Sequence, residues 1–436
     1  MASKASIKSI APDHVRLAAL ADYLAAAVVI SLPWSTSATS ILVALWAVAA
    51  AATLDGKSLR AIGVMPAAAL PLALVVLAFA GTLWSQAPWP EALSGISPFL
   101  KLLVIPLLFV QFSRSDRSET MFYAFLTSAG VLLAVSCLIF LFPQIPLKTE
   151  VPGVPVKDYI LQSIEFTLCG FALFDRAIAG WGKSRAASLL LAALGILFFA
   201  NIVFVVLGRT SIVIIAVLFG LLGVRHFRRR ALTAFVAAGM VIAAAAWTTS
   251  PYLRSRVTHI VEELDASRAN LNETSSGIRV AVWKMSAKAI ADAPLFGHGT
   301  GSIATMFARM AAADPALPDD ATNPHNQILA TAVQLGLLGV AVLLAMWTAH
   351  LRMFLLPGPA AWIGLSIVAE NVVGSLFNSH LFDFSHGWLY VFGLGIAGGV
   401  MLRKRSGESR SPTASSRLGR TDSGSDTTTV ELQNAS

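Results

Sequence analysis

The succession of long apolar runs filling this chain limits its fold more than any other feature. Crossing a bilayer as helix takes roughly 17–25 residues, and twelve runs are read as spans: about 17–33, 37–53, 67–83, 96–112, 121–142, 159–175, 187–207, 210–224, 231–250, 327–348, 359–377 and 387–402. The strands of a membrane barrel would alternate polar and apolar residues, and these runs do not. Only 13% of the 436 residues are charged and 56% are hydrophobic, against about a quarter charged in a soluble domain. The expected fold is an all-α polytopic membrane protein. Residues 1–250 hold spans one to nine, 251–326 a large helical loop, 327–402 spans ten to twelve, and 403–436 a polar tail rich in Ser, Thr and Arg, expected to be disordered.

Orientation follows the Lys/Arg bias of the short loops. One set carries Lys57 and Arg60, Arg114 and Arg117, Arg176, Lys183 and Arg185, Arg225 with Arg228 to Arg230, Arg352, and Arg403 to Arg405. The alternate set is nearly bare: WSQAPWPE near residue 84 and FNSHLFDFSH near 377 hold no cation. Both termini are therefore expected in the cytoplasm and the 251–326 loop outside. This inside signal absorbs most of the net charge of +8 and argues against a nucleic-acid partner. Lys4, Lys8 and Arg16 before an apolar run resemble a secretory signal, but an uncleaved first span keeps the loop alternation intact. Cys137 and Cys169 fall inside spans and read as packing residues.

The 251–326 loop is polar without being low in complexity. VTHIVEEL and Ile278 to Ile290 have helical spacing, NETSSG (Asn272 to Gly277) offers a helix start, and a short helix from Ser302 to Ala312 is expected. In the second helix Val282, Met285 and Ile290 share a face, leaving Arg279, Lys284 and Lys288 wet. The loop closes on Pro324, His325 and Asn326 where the chain re-enters the membrane, a depth at which polar groups are costly and tend to be functional.

Three side chains stand out on the outer face. Arg209, in VVLGRTS between the seventh and eighth spans, either snorkels to lipid phosphate or clamps a substrate phosphate with its fork. Arg279 by itself reads as a solvated surface charge. His325, after Pro324, is expected in the first helical turn, where the helix dipole disfavours imidazolium and leaves a neutral proton acceptor; the bland alternative is a capped interfacial histidine. GHGTGS (Gly297 to Ser302) is either a flexible turn or a backbone anion cradle. His380, Asp383 and His386 have H-x-x-D-x-x-H spacing, which could gather a metal if helical; the loop is short and no fourth ligand is evident, so no metal site is expected. Glu165 and Glu370 lie within spans. No cytoplasmic loop carries a nucleotide-binding signature. Two arginines and a histidine, without metal or cofactor, suit a lipid pyrophosphate, whose leaving group is already activated.

LGRTS, R-x-x-x-W (Arg279 to Trp283), PLFGHGTGS and NPHNQILATAVQLGLLG, in this order from Arg209 to Gly339, resemble the O-antigen ligase family. Its wider superfamily includes O-antigen polymerases and protein O-oligosaccharyltransferases. The resemblance implies a metal-independent glycosyltransferase of the membrane-embedded C type in the bacterial inner membrane. Such an enzyme joins undecaprenyl-pyrophosphate-linked O-antigen to lipid A–core at the periplasmic face. It further implies that Arg209 and Arg279 hold the pyrophosphate and that His325 activates the acceptor hydroxyl, with Asn326, His298 and Gln334 as supporting residues. Relatives often carry an acidic residue where this chain has Gln334, which puts electrostatic tuning there in question. A polymerase or protein oligosaccharyltransferase would share the chemistry. A transporter of lipid-linked or anionic solutes would instead use Glu165 and Glu370 through the bilayer depth.

Overall fold

A computed structural model describes residues 12–145, 151–266, 275–314 and 316–408. Lys4, Lys8, the start of NETSSG and most of the expected disordered tail lie outside the described residues. Among the described residues there is no strand, and eighteen α-helices follow one another. They are α1 (Pro12–Ser31), α2 (Thr36–Ala51), α3 (Gly56–Gly63), α4 (Pro66–Gly81), α5 (Trp89–Ser94), α6 (Ser97–Leu100), α7 (Val104–Arg114), α8 (Ser118–Leu141) and α9 (Tyr159–Gly180). The second half holds α10 (Arg185–Phe204), α11 (Arg209–His226), α12 (Arg229–Thr249), α13 (Pro251–Ala266), α14 (Ser275–Asp292), α15 (Ile303–Ala313), α16 (Gln327–Met353), α17 (Pro359–Gly374) and α18 (Phe384–Glu408).

The molecule is an all-α polytopic membrane protein. Among the described residues, eight helical segments are long and apolar enough to cross a bilayer, or nine if α2 and α3, bent by 114°, form one span. Each of the twelve apolar runs coincides with helix, and those outside the eight are shorter or more polar, such as the 16-residue α17. The run expected at 96–112 differs most. It extends from Trp89 to Arg114 and is broken into α5, α6, a 3-10 turn at Lys101–Leu103 and α7. Pro90, Pro98 and Pro106 fall along it, and each lacks an N–H for the helical ladder.

Side-chain and backbone bonds define the two ends of the bundle. At one end Asp175, late in α9, accepts from Arg225 Nε at 2.9 Å and lies 2.8 Å from His226 Nε2. Arg225 also donates to the Gly358 carbonyl ahead of α17, and His350 Nε2, late in α16, lies 2.8 Å from the Ala67 carbonyl in α4. At the opposite end the Gln327 N–H, opening α16, donates to the Ser375 carbonyl after α17. There too the Gly208 N–H, ahead of α11, reaches Ser163 Oγ early in α9. The starts of α9, α11 and α16 thus share one end with the close of α17.

Helices α13, α14 and α15 form the cap at that second end. A small core of Val282, Met285 and Phe307 holds α14 to α15, so two of the three apolar positions read from sequence face into it, while Ile290 is half-buried outside it. Lys284 and Lys288 are exposed as expected, but Arg279 is half-buried, which corrects its assignment to the wet face. The bundle core has one large cluster, with Trp46, Phe99, Phe109, Phe112, Trp362 and Phe392 fully buried, and a smaller one around Phe166, Phe198 and Ile202. Helix α9 is buried along most of its length, whereas α12 buries none of its residues.

Candidate active site

The cap is joined to the bundle by GHGTGS, and its geometry is neither a loose turn nor an anion cradle. Gly297, Gly299 and Gly301 all have positive φ, at 66°, 89° and 80°, backbone that side chains rarely adopt. The N–H groups that a cradle would aim at an anion are already taken. His298 N–H donates to Val333 O, Gly299 N–H to Gln334 O and Thr300 N–H to Gly81 O, while Gly301 N–H donates to Gln334 Oε1 at 2.8 Å. Thr300 Oγ1 donates to Ala78 O. The loop is a clasp linking the close of α4 to α16. Helix α16 bends to receive it at Gly336, with φ 64° and ψ −163°, where a Cβ would lie 2.3 Å from the carbonyl carbon of Leu295.

This clasp explains two supporting candidates. Gln334 is buried, accepting from Gly301 through Oε1 and donating through Nε2 to Ala330 O at 3.0 Å. A glutamate at this position could still accept from Gly301. His298 is buried with Nε2 2.8 Å from Ala289 O, part of the same join. Neither side chain is aimed at His325.

His325 sits differently from the sequence expectation. Asn326, not a residue before it, is the N-cap of α16: its Oδ1 accepts from the Ile328 and Leu329 N–H groups, and its Nδ2 donates to Leu376 O. His325 therefore precedes the helix, in a left-handed conformation with φ 50°. Strained backbone of this kind persists only where its surroundings impose it, and clusters at functional sites. Asn323 Oδ1 accepts the His325 N–H at 2.9 Å and the Ser379 hydroxyl at 2.8 Å. From α14, Trp283 Nε1 donates to the Pro324 carbonyl at 2.9 Å. The turn is pinned from three sides.

Pinning by Trp283 also gives the R-x-x-x-W spacing a physical meaning. Residues four apart share a helix face, so the tryptophan that grips the Pro324 carbonyl brings Arg279 to the His325 turn. Burial holds the His325 imidazole below its ordinary range, and the nearby Arg279 charge lowers it further, against an opposing hydrogen bond to Asn378. The lowering arises from burial and a neighbouring guanidinium, where the sequence pointed to the helix dipole. Nδ1 of His325 is 3.2 Å from Asn378 Oδ1, an atom that also accepts the Ser379 N–H. An oxygen there can only accept, so Nδ1 carries the proton and Nε2 keeps its lone pair.

Arg209 is the first residue of α11 and is half-buried, at the same end of the bundle as His325. Around it the Leu207 N–H donates to Tyr252 Oη, and Arg256 donates to Leu207 O and stacks over Tyr159 with 4.9 Å to the ring centroid. The structure thus brings Arg279 to His325 and sets Arg209 at the same end. Asn378, Asn323 and Trp283 are the residues the sequence reading missed or left without a role. Glu165 is buried with neither carboxylate oxygen hydrogen-bonded, and Glu370 faces a histidine, not an arginine.

Residues 194–344, from α10 through most of α16, match the family model described as O-antigen ligase. The matched span contains Arg209, Arg279, His325 and Gln334. The family supports a glycosyltransferase of the O-antigen ligase or polymerase type. No curated protein matches the chain.

Proposed function

We propose that this protein transfers a glycan from undecaprenyl pyrophosphate to a sugar hydroxyl of lipid A–core, at the periplasmic face of the bacterial inner membrane. The observation that carries the reading is the His325 turn: a strained, pinned histidine whose Nδ1 is engaged by Asn378 and whose Nε2 is free, beside Arg279. The acceptor oxygen attacks the anomeric carbon as its bond to the diphosphate oxygen breaks. The hydroxyl proton passes to His325 Nε2, and the electron pair leaves with the diphosphate. Direct attack inverts the anomeric centre. A positioned base of this kind contributes about 10²–10⁴-fold.

Arg279 and Arg209 take up the charge that develops on the leaving diphosphate, serving where a divalent ion would otherwise bridge phosphates. Each guanidinium fork matches two phosphate oxygens. Arg279 has a second effect, since its charge keeps His325 in the neutral form the reaction needs. The Lys/Arg bias of the short loops supports a cytoplasmic location for both termini and a periplasmic cap. No cofactor is invoked.

The test is transfer by purified protein from lipid-linked glycan to rough lipopolysaccharide, to the growing glycan itself, or to a pilin-like protein. Product on lipopolysaccharide, lost in His325→Ala, supports the proposal. Product on the protein acceptor alone, or only lengthened lipid-linked glycan, replaces ligation with oligosaccharyltransfer or polymerisation.

A further inference from the structure

Behind the His325 turn lies a second cluster that the proposed reaction does not use. Glu370 late in α17, His380 in the connecting loop and His386 in the first turn of α18 are all buried, with ligand atoms within 4.8 Å of one another. The two imidazoles stack with centroids 4.0 Å apart and an interplanar angle of 2°. His380 Nδ1 and Glu370 Oε1 approach to 3.2 Å, yet their angles do not make a hydrogen bond. Both oxygens of Glu370, both nitrogens of His380 and Nδ1 of His386 are buried without a hydrogen-bond partner. Buried polar atoms are rarely left so, and a concentration of them in one place calls for a missing partner.

The surrounding charge indicates the sign of that partner. Asp158, Asp383 and Glu165 are electrostatically linked to this cluster directly or through one another, as are Lys101 and Lys157. With Glu370 these make four carboxyl groups beside two lysines, an acidic surrounding that favours a cation. Two imidazoles and a carboxylate are a ligand set for a borderline divalent ion, zinc foremost. Bonds of about 2.0–2.1 Å to a tetrahedral ion space the ligands about 3.3 Å apart; the His380–Glu370 pair stands at 3.2 Å, and the imidazoles, whose in-plane lone pairs run parallel in the stack, swing out of it to share one ion.

We infer that Glu370, His380 and His386 form a structural binding site for a divalent transition-metal ion, with zinc the best match. The H-x-x-D-x-x-H spacing alone suggested Asp383 as the acidic ligand and offered too few groups. In the fold Asp383 Oδ1 instead caps α18 by accepting the His386 N–H at 2.9 Å, and α17 supplies the carboxylate. The ion ties the close of α17 to the start of α18 and fixes the loop between them. That loop carries Asn378 and Ser379, which orient His325, so the ion acts on the reaction through positioning and touches no substrate.

The experiment is elemental analysis of the full-length protein, purified in detergent through a histidine-free tag from cells grown with zinc. About one ion per chain is expected, falling to less than about a tenth of an ion in Glu370→Gln and in His386→Phe. Should those variants fail to fold, chelator-stripped wild-type protein titrated with Zn²⁺ gives the answer: a melting temperature that rises and saturates near one equivalent supports the site. Wild-type protein that purifies metal-free with melting unmoved by Zn²⁺, or folded variants that keep the ion, overturns it. His325→Ala is expected to keep the ion while losing transfer, so failure of this inference and failure of the ligation reading are separable.

Discussion

His325 combines three demands at one residue: a strained backbone, a defined tautomer and a neutral ring. The ring must be neutral to accept a proton, so activity is present above its folded-state pKa and lost as pH falls through it. Burial and Arg279 place that pKa below the ordinary 6.5, and the acid limb of kcat/KM is expected below pH 6.5. Arg279→Gln should weaken transfer and move the limb upward, because a lowering charge is gone; Asn378→Asp should also move it upward, because a carboxylate on Nδ1 favours imidazolium. A limb fixed in both variants would detach His325 from proton transfer. His325→Ala and His325→Gly should each cost about 10²–10⁴-fold in turnover. The glycine variant should be the more stable by about 1 kcal/mol, since φ 50° suits it and not alanine, which melting curves in detergent will resolve. The Arg279 to Trp283 spacing was legible in the sequence as one helical turn. Asn378 was not, because it lies 53 residues beyond His325 and only the return of α17 brings it near.

At the scale of elements, the clasp between the cap and α16 depends on glycines and one amide. Gly336→Ala forces a side chain into backbone that is essentially reserved for glycine, costing about 1–3 kcal/mol, and the contact with Leu295 adds about as much again. Lower melting temperature and faster proteolysis between the cap and α16 are the expected readouts. Gln334→Leu strands the half-buried Gly301 N–H and should cost about 1 kcal/mol, whereas Gln334→Glu keeps that acceptor and should remain close to wild type in melting. Equal losses in both variants would contradict the acceptor role. The helices of the cap were readable from apolar spacing, as were Val282 and Met285 on their inner face. The clasp was not, since its bonds run from main chain to main chain and any sequence rich in glycine would look the same. The start of α16 was displaced for a related reason: the competition between His325 and Asn326 for the capping position is decided by Asn326 accepting from two N–H groups.

For the whole molecule, the apolar runs established the class and nearly all the helices, because hydropathy reports what a helix must present to lipid. It does not report where a run breaks, as the prolines between Trp89 and Arg114 show, nor that α9 would be enclosed by its neighbours while α12 is not. The inside bias of Lys and Arg gives a topology that can be checked directly. In a background lacking Cys137 and Cys169, Ser255→Cys in the cap should react with a membrane-impermeant maleimide added to spheroplasts, and Lys57→Cys should react only after lysis. The opposite pattern would invert the orientation and put the His325 end in the cytoplasm.

On the proposed reading the protein handles a long glycan, and the seam at GHGTGS then has a mechanical meaning. Its peptide groups are stitched to the close of α4 and the middle of α16, two of the segments long enough to span the bilayer. Drag on a heavy chain held under the cap is therefore shared between two anchored rods and does not peel away a dangling lid.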